Sequence, residues 1–186
     1  MTMADDKKTA RKAAFARRKA ARTDVDNCGQ LRAVLGDTED RVISGFMPIL
    51  SEIDPLPFMT EMAAANTICV PVIQGAGMPL VFHRWEPGCD MVEGPFGARV
   101  PRDGVAVEPD ILIVPLVAFD RRCYRLGYGG GFYDRTLEGL RDRKLVRAYG
   151  FAYGAQEADD LPLEPTDQPL DAVVTEARVV WAPRGT

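Results

Sequence analysis

The chain has one histidine, no CxxC pair and no apolar run near the roughly 18–20 residues that cross a bilayer. Each shortage excludes a class of protein. The four cysteines, Cys28, Cys69, Cys89 and Cys123, are scattered, so neither a zinc site nor a disulfide framework is expected. Without a spanning segment, and with a charged rather than apolar start, the chain reads as a cytoplasmic protein with no secretory leader and no membrane association. Asp5 and Asp6 argue against an organellar transit peptide. His83 lies in "LVFHRWE", a strand-like run, and reads as a structural histidine. A mechanism for this protein must therefore work without histidine.

What is present describes one domain. At 186 residues, with 46% apolar and 27% charged side chains, the chain is long enough for a sizeable core. Its net charge of -4 hides an asymmetry. Residues 1–22 carry eight basic side chains (Lys7, Lys8, Arg11, Lys12, Arg17, Arg18, Lys19 and Arg22) against Asp5 and Asp6. That start is +6, which leaves -10 for the remainder. A basic arm on an acidic body predicts an anionic partner, or docking onto the body itself.

"KKTARKAAFARRKAAR" has no Gly or Pro and predicts a helix with thin apolar content. "RVISGFM" predicts a strand, and "DPLPFMTEMAAA" a helix with Asp54 as N-cap and Pro55 in its first position. "TICVPVI" and "LVFHRW" are β-rich. "ILIVPLVAF" predicts one strand covered on both faces. A glycine-rich loop and the helix "GFYDRTLEGLRDR" follow, then strands in "LVRAYGFAY" and "AVVTEARVVW". The expected fold is a single-domain α/β protein, a three-layer α/β sandwich with a mainly parallel sheet.

The chemistry concentrates in "RLGYGGGFYDR", residues 125–135, which holds Gly127, Gly129, Gly130 and Gly131. Ligands of open α/β sheets bind beyond the carboxyl ends of strands, and a helix N-terminus favours phosphate. Glycines let backbone N–H groups approach phosphate oxygens. The two common phosphate motifs fail. GxGxxG starting at Gly127 would require Gly or Ala at 132, where Phe132 stands, and no GxxxxGK[ST] run exists. An unusual ATP or phosphate site remains. Asp134 fits a magnesium ligand beside a polyphosphate, and equally a helix-start carboxylate favoured by the macrodipole.

"PDILIVPLVAFDRRCYRLGYGGGFYDRTL", residues 109–137, resembles the signature DLxxVPxxAFD…RLGxGxGxYDRxL of the 5-formyltetrahydrofolate cyclo-ligase (5,10-methenyltetrahydrofolate synthetase) family. Lys7 and Arg11, "SEIDP", "FAYGAQ", "LPLEPTD" and "LDAVVTE" extend the likeness over most of the chain. The resemblance implies an ATP-binding set of Lys7, Arg11, Arg125, Gly127, Tyr128, Gly129, Gly130, Gly131, Phe132 and Tyr133. It implies a folate side of Phe46, Met47 and Glu52, on which Phe132 stacks, and Mg²⁺ held by Asp134 and Asp167. Catalytic roles fall to Arg125, Glu52 and Tyr133. Residues 1–24 are expected to dock as a basic helix on the ATP site.

Several positions depart from the family pattern. Tyr128 and Gly130 stand where many members carry a basic residue, Cys123 replaces a usual turn glycine, and Thr166 replaces a frequent histidine. A cysteine at positive φ would be strained.

The implied activity is ATP- and Mg²⁺-dependent closure of 5-formyltetrahydrofolate to 5,10-methenyltetrahydrofolate, releasing ADP and phosphate. The implied partners are those two small molecules, with no nucleic acid, and a monomer is expected. The competing reading is a non-catalytic nucleotide- or folate-binding module of the same fold.

Overall fold

A computed structural model describes residues 3–183, with the side chain of Phe96 outside the described set. The described elements run α1 (Met3–Ala21), α2 (Gly29–Leu35), β1 (Val42–Ser44), α3 (Leu56–Met62), β2 (Thr67–Ile73) and β3 (Leu80–Trp85). Then come β4 (Met91–Glu93), β5 (Arg99–Pro101), β6 (Ala106–Val107), β7 (Ile111–Pro115), β8 (Ala118–Phe119) and β9 (Arg125–Leu126). The chain continues through α4 (Phe132–Arg141), β10 (Arg147–Phe151), β11 (Ala172–Val174) and β12 (Val179–Trp181).

Eight strands form one sheet in the order β12-β11-β10-β7-β1-β2-β3-β6. The middle five, β11 to β2, are parallel, and antiparallel strands close both edges. Strand alternation sorts the core into two layers. On β7, Ile113 packs with Leu31, Phe58 and Met59 of α2 and α3. Its neighbours Leu112 and Val114 pack with Leu137 and Leu140 of α4. The protein is thus the α/β sandwich with a mostly parallel sheet that its sequence predicts.

Local corrections are informative. "ILIVPLVAF" is two strands, not one. β7 ends at Pro115, and β8 pairs with β9 in a separate hairpin. The Gln156 side-chain amide donates to the carbonyls of Leu116 (2.9 Å) and Val117 (3.1 Å) at the break. "RVISGFM" is a strand only over Val42–Ser44. α3 begins one residue later than predicted, with Pro55 as its N-cap and Asp54 Oδ1 accepting from the Leu56 amide at 2.8 Å. The helix α2 and the short strands β4, β5, β6 and β9 have no counterpart in the sequence reading. His83 lies on β3, its buried Nδ1 without a partner among the described residues. Cys123 does sit at φ 62, in the turn of the β8–β9 hairpin. Asp120 knots that turn: its Oδ1 accepts from the amides of Arg122 (2.9 Å) and Tyr124 (3.2 Å).

The topology has one switch point. β1 leads through α3 to β2 on one side, while its other neighbour, β7, leads through α4 to β10 on the opposite side. Segments leaving the carboxyl ends of β1 and β7 therefore diverge and leave a crevice, the place where open α/β sheets bind ligands.

Candidate active site

Two segments meet at that crevice. After β1 the chain runs through Phe46 and Met47 to Glu52; after β7 it passes the hairpin and enters the glycine loop. Gly129 (φ 103) and Gly131 (φ 64) take left-handed backbone that other residues adopt only with strain. Gly131 is the N-cap of α4. Among the described residues the amide N–H groups of Tyr128, Gly129 and Gly130 meet no acceptor, as an anion-receiving loop requires.

The helix α1 covers this loop. Lys7, Arg11, Ala14 and Arg18 recur at spacings of four, three and four, which places them on one face. Lys7, Ala14 and Arg18 are buried and Arg11 is half-buried. Arg11 donates from Nε to the Gly127 carbonyl at 2.8 Å. Its guanidinium carbon lies 3.4 Å from where a Cβ on Gly129 would stand. Lys7 reaches a different segment and pairs with Glu164 (2.7 Å) and Asp167 (2.9 Å). Burial alone would lower the Lys7 pKa, but the bonds to those two carboxylates outweigh it and hold the ammonium above its ordinary range.

Arg18 is fully buried, and its guanidinium reaches three residues on two segments. Nε meets Ser51 Oγ at 3.1 Å, Nη1 meets the Tyr128 hydroxyl at 2.9 Å, and the same nitrogen lies 3.8 Å from Glu52 Oε1. Its guanidinium also packs on the rings of Phe15 (5.1 Å) and Tyr128 (5.6 Å). Glu52 is buried with both oxygens occupied: Oε1 by Tyr128 (2.8 Å) and Oε2 by the Ile49 amide (2.9 Å). Desolvation pushes the Glu52 pKa up, against the Ile49, Tyr128 and Arg18 contacts, which pull it down.

The other side of the loop is an arginine–carboxylate pair. Arg125 is buried on β9 and donates to Asp134 (2.9 Å) and to the Gln168 carbonyl (2.7 Å). The Gln168 amide donates to the same Asp134 oxygen at 2.9 Å, so Asp134 is held against the backbone of the residue that follows Asp167. Among the described residues no three acidic, histidine or cysteine side chains form a metal cage. Magnesium is ordinarily held by one or two carboxylates plus substrate phosphates, and these two carboxylates fit that pattern. Tyr133 packs its ring 6.0 Å from the Arg125 guanidinium.

Four buried side-chain polar atoms lack partners among the described residues, and three (Arg18 Nη2, Tyr133 Oη and Arg135 Nε) surround the glycine loop. Unpaired buried polar groups are costly unless something pairs with them.

The sequence-predicted residues lie around this crevice, with three qualifications, the first being that Lys7 pairs with Glu164 and Asp167 rather than with the glycine loop. Phe46 is buried in the core on the α2–α3 side, with Met47 packed against it. Phe132 is half-buried, lies with the α4-side core and has the Arg135 guanidinium 5.7 Å from its ring centre. Arg18, Ser51, Glu164 and Gln168 were missed. The helical spacing that links Lys7 to Arg11 also reaches Arg18, and that signal was available.

A parallel sheet with a glycine loop and a buried carboxylate at its switch point defines a small-molecule-binding α/β protein, with no helix among the described residues long and apolar enough to cross a membrane. The model of the 5-formyltetrahydrofolate cyclo-ligase family matches residues 5–176. The chain belongs to that family and is an enzyme, a ligase of folate one-carbon metabolism. It is 37% identical over 145 residues to the 5-formyltetrahydrofolate cyclo-ligase of Escherichia coli K12, covering 74% of this chain and 79% of that one. It is 30% identical over 155 residues to that of Mycolicibacterium smegmatis, covering 77% and 78%. The solved structure of Aquifex aeolicus 5,10-methenyltetrahydrofolate synthetase superposes with a TM-score of 0.74 at 27% identity, over 100% of this chain and 95% of that one.

Proposed function

We propose that the enzyme converts 5-formyltetrahydrofolate to 5,10-methenyltetrahydrofolate with ATP and Mg²⁺, releasing ADP and phosphate. The observation that carries this reading is the meeting of the glycine loop and the Glu52 carboxylate at one crevice, joined by the Tyr128–Glu52 bond.

The formyl oxygen is a poor leaving group. It attacks the γ-phosphorus of ATP, the bond to ADP breaks, and the oxygen becomes a phosphate ester. The N10 lone pair then attacks the formyl carbon, the C–O bond breaks with loss of phosphate, and N10 gives up its proton. Phosphoryl transfer needs positioning and charge neutralisation more than a protein nucleophile, which suits a chain with one histidine. The amides of Tyr128, Gly129 and Gly130 receive phosphate oxygens, and Arg11, Lys7 and Arg125 supply positive charge. Glu52 hydrogen-bonds the pterin, with Phe46, Met47 and Phe132 shaping its side. The Tyr133 hydroxyl, without a partner among the described residues, orients the reacting groups. Asp134 and Asp167 are the residues that would hold Mg²⁺, which neutralises phosphate charge when bound.

The test is absorbance of the methenyl product in a mixture of purified protein, 5-formyltetrahydrofolate, ATP and Mg²⁺. Product should form only when all are present, with one ADP per turnover. Product without ATP, or ATP hydrolysis without ring closure, would overturn the reading.

A further inference from the structure

Tyr128 is the one residue with a side chain between Gly127 and Gly131, and that side chain leaves the loop to reach another segment. The direction of its bonds is fixed by chemistry. A guanidinium only donates, and an ionised carboxylate only accepts. The Tyr128 hydroxyl must therefore accept from Arg18 and donate to Glu52. The result is a set of bonds that leaves Arg18 in two directions, Ser51 ← Arg18 → Tyr128 → Glu52, and closes on itself because Ser51 and Glu52 are neighbours.

Two features set this chain apart from an incidental surface contact. Arg18 is completely buried, so its charge is desolvated and depends on these partners. It also lies 3.8 Å from Glu52, so one cation fixes both the loop's tyrosine and the carboxylate of the other segment. The tie joins the two halves of the crevice: moving the glycine loop moves the donor on Glu52, and moving Glu52 moves the loop's anchor.

Resting on the reading above, we propose that Arg18 and Tyr128 are positioning residues that energetically link the two substrates. Binding of the pterin at Glu52 strengthens binding of ATP at the glycine loop, and the reverse. The sign follows from the glycines. A loop of four glycines has much conformational freedom to lose. Whichever ligand binds first fixes one end of the tie, and the second meets a loop already partly ordered. Reciprocity is obligatory for such a linkage.

The experiment measures dissociation constants for a nonhydrolysable ATP analogue with Mg²⁺, with and without saturating 5-formyltetrahydrofolate, and then in the opposite order. In the parent enzyme each ligand should tighten the other by the same factor, on the order of 5-fold or more. Tyr128→Phe keeps the ring that packs on Arg18 and removes only the hydroxyl, so the factor should fall to within about twofold of one, a tenfold affinity step being about 1.4 kcal/mol. Arg18→Lys keeps the charge but not the fork, and should lower the factor in the same direction. A parent factor of one overturns the linkage without any variant being needed. A full-sized factor in folded Tyr128→Phe overturns the assignment to this tie. If the parent turns over but shows no linkage, this inference fails and the proposed function stands. If neither ligand binds, the proposed function has failed first.

Discussion

The two longest helices among the described residues, α1 and α4, are held to the body of the protein by different means, α4 against the eight-stranded sheet and α1 against the β8–β9 hairpin. α4 is anchored by Leu137 and Leu140, buried among Leu112, Val114 and Ala148. α1 places Lys7, Arg11 and Arg18 on its inward face, with Ala14 as its only fully buried apolar side chain. Apolar burial is non-directional and stabilises wherever shapes fit. Guanidinium and ammonium groups stabilise only against particular acceptors. α4 therefore supports the fold, while α1 carries donors to the Gly127 carbonyl, the Tyr128 hydroxyl and the 164–167 turn. α1 has a small apolar contact of its own, Ala14 with Val117, Ala118 and Leu126, but most of what it brings to the body of the protein is donors aimed at the site.

Cutting the α4 anchor should have the largest effect. Leu137→Ala removes a fully buried side chain and should cost about 2–5 kcal/mol of global stability. Urea unfolding checks this, and the cost should change little with added salt. A loss that tracks ionic strength would mean the two helices are not held differently.

The equivalent cut in α1 should strike the ligand instead. Arg11→Ala should weaken ATP binding about ten- to a hundredfold, the about 1.5–3 kcal/mol of a charge-assisted hydrogen bond, while the urea midpoint stays close to the parent's. Lys19→Ala, exposed on the same helix, should leave ATP affinity within about twofold. Equal effects at both positions would show a diffuse electrostatic arm in place of a specific one.

The smallest expected effect is a difference in alkaline sensitivity. The folded pKa of Lys7 is raised above its ordinary 10.5. Its contribution is complete below pH 10.5 and is lost as pH rises through the folded value. Glu164 is half exposed, so the contribution is at most about 1 kcal/mol. Lys7→Ala should therefore differ from the parent in stability near neutrality and converge with it once the pH has risen through the folded value, which lies above 10.5. Unfolding curves at both pH values decide it, and a gap that persists at high pH would show lost packing rather than lost charge.

The same contrast explains what the sequence revealed. "TICVPVI" and "LVFHRW" match β2 and β3 end to end, because alternation and β-branched side chains are local properties. The break within "ILIVPLVAF" falls at Pro115, a local signal, but the Gln156 bonds that hold it come from about forty residues away. At the site, Arg11 and the loop glycines were legible because their spacing repeats a known signature. The Tyr128–Glu52 bond was not, because it joins segments 76 positions apart whose meeting is set by strand order. Arg18 lies between these cases: its helical register is readable, but its burial is not, because an arginine is buried only where partners such as Tyr128, Ser51 and Glu52 are brought to it.

The reach of α1 also sets a schedule. Lys7 meets partners 157 and 160 positions further along the chain. On a ribosome, the basic helix is made early and finds those carboxylates only after residue 167 has emerged, when nearly all the parallel sheet has been synthesised. Contacts of such long sequence separation form late. A nascent chain can therefore possess most of its core, and even the Arg11 and Arg18 contacts to residues 127 and 128, while Lys7 still lacks its partners.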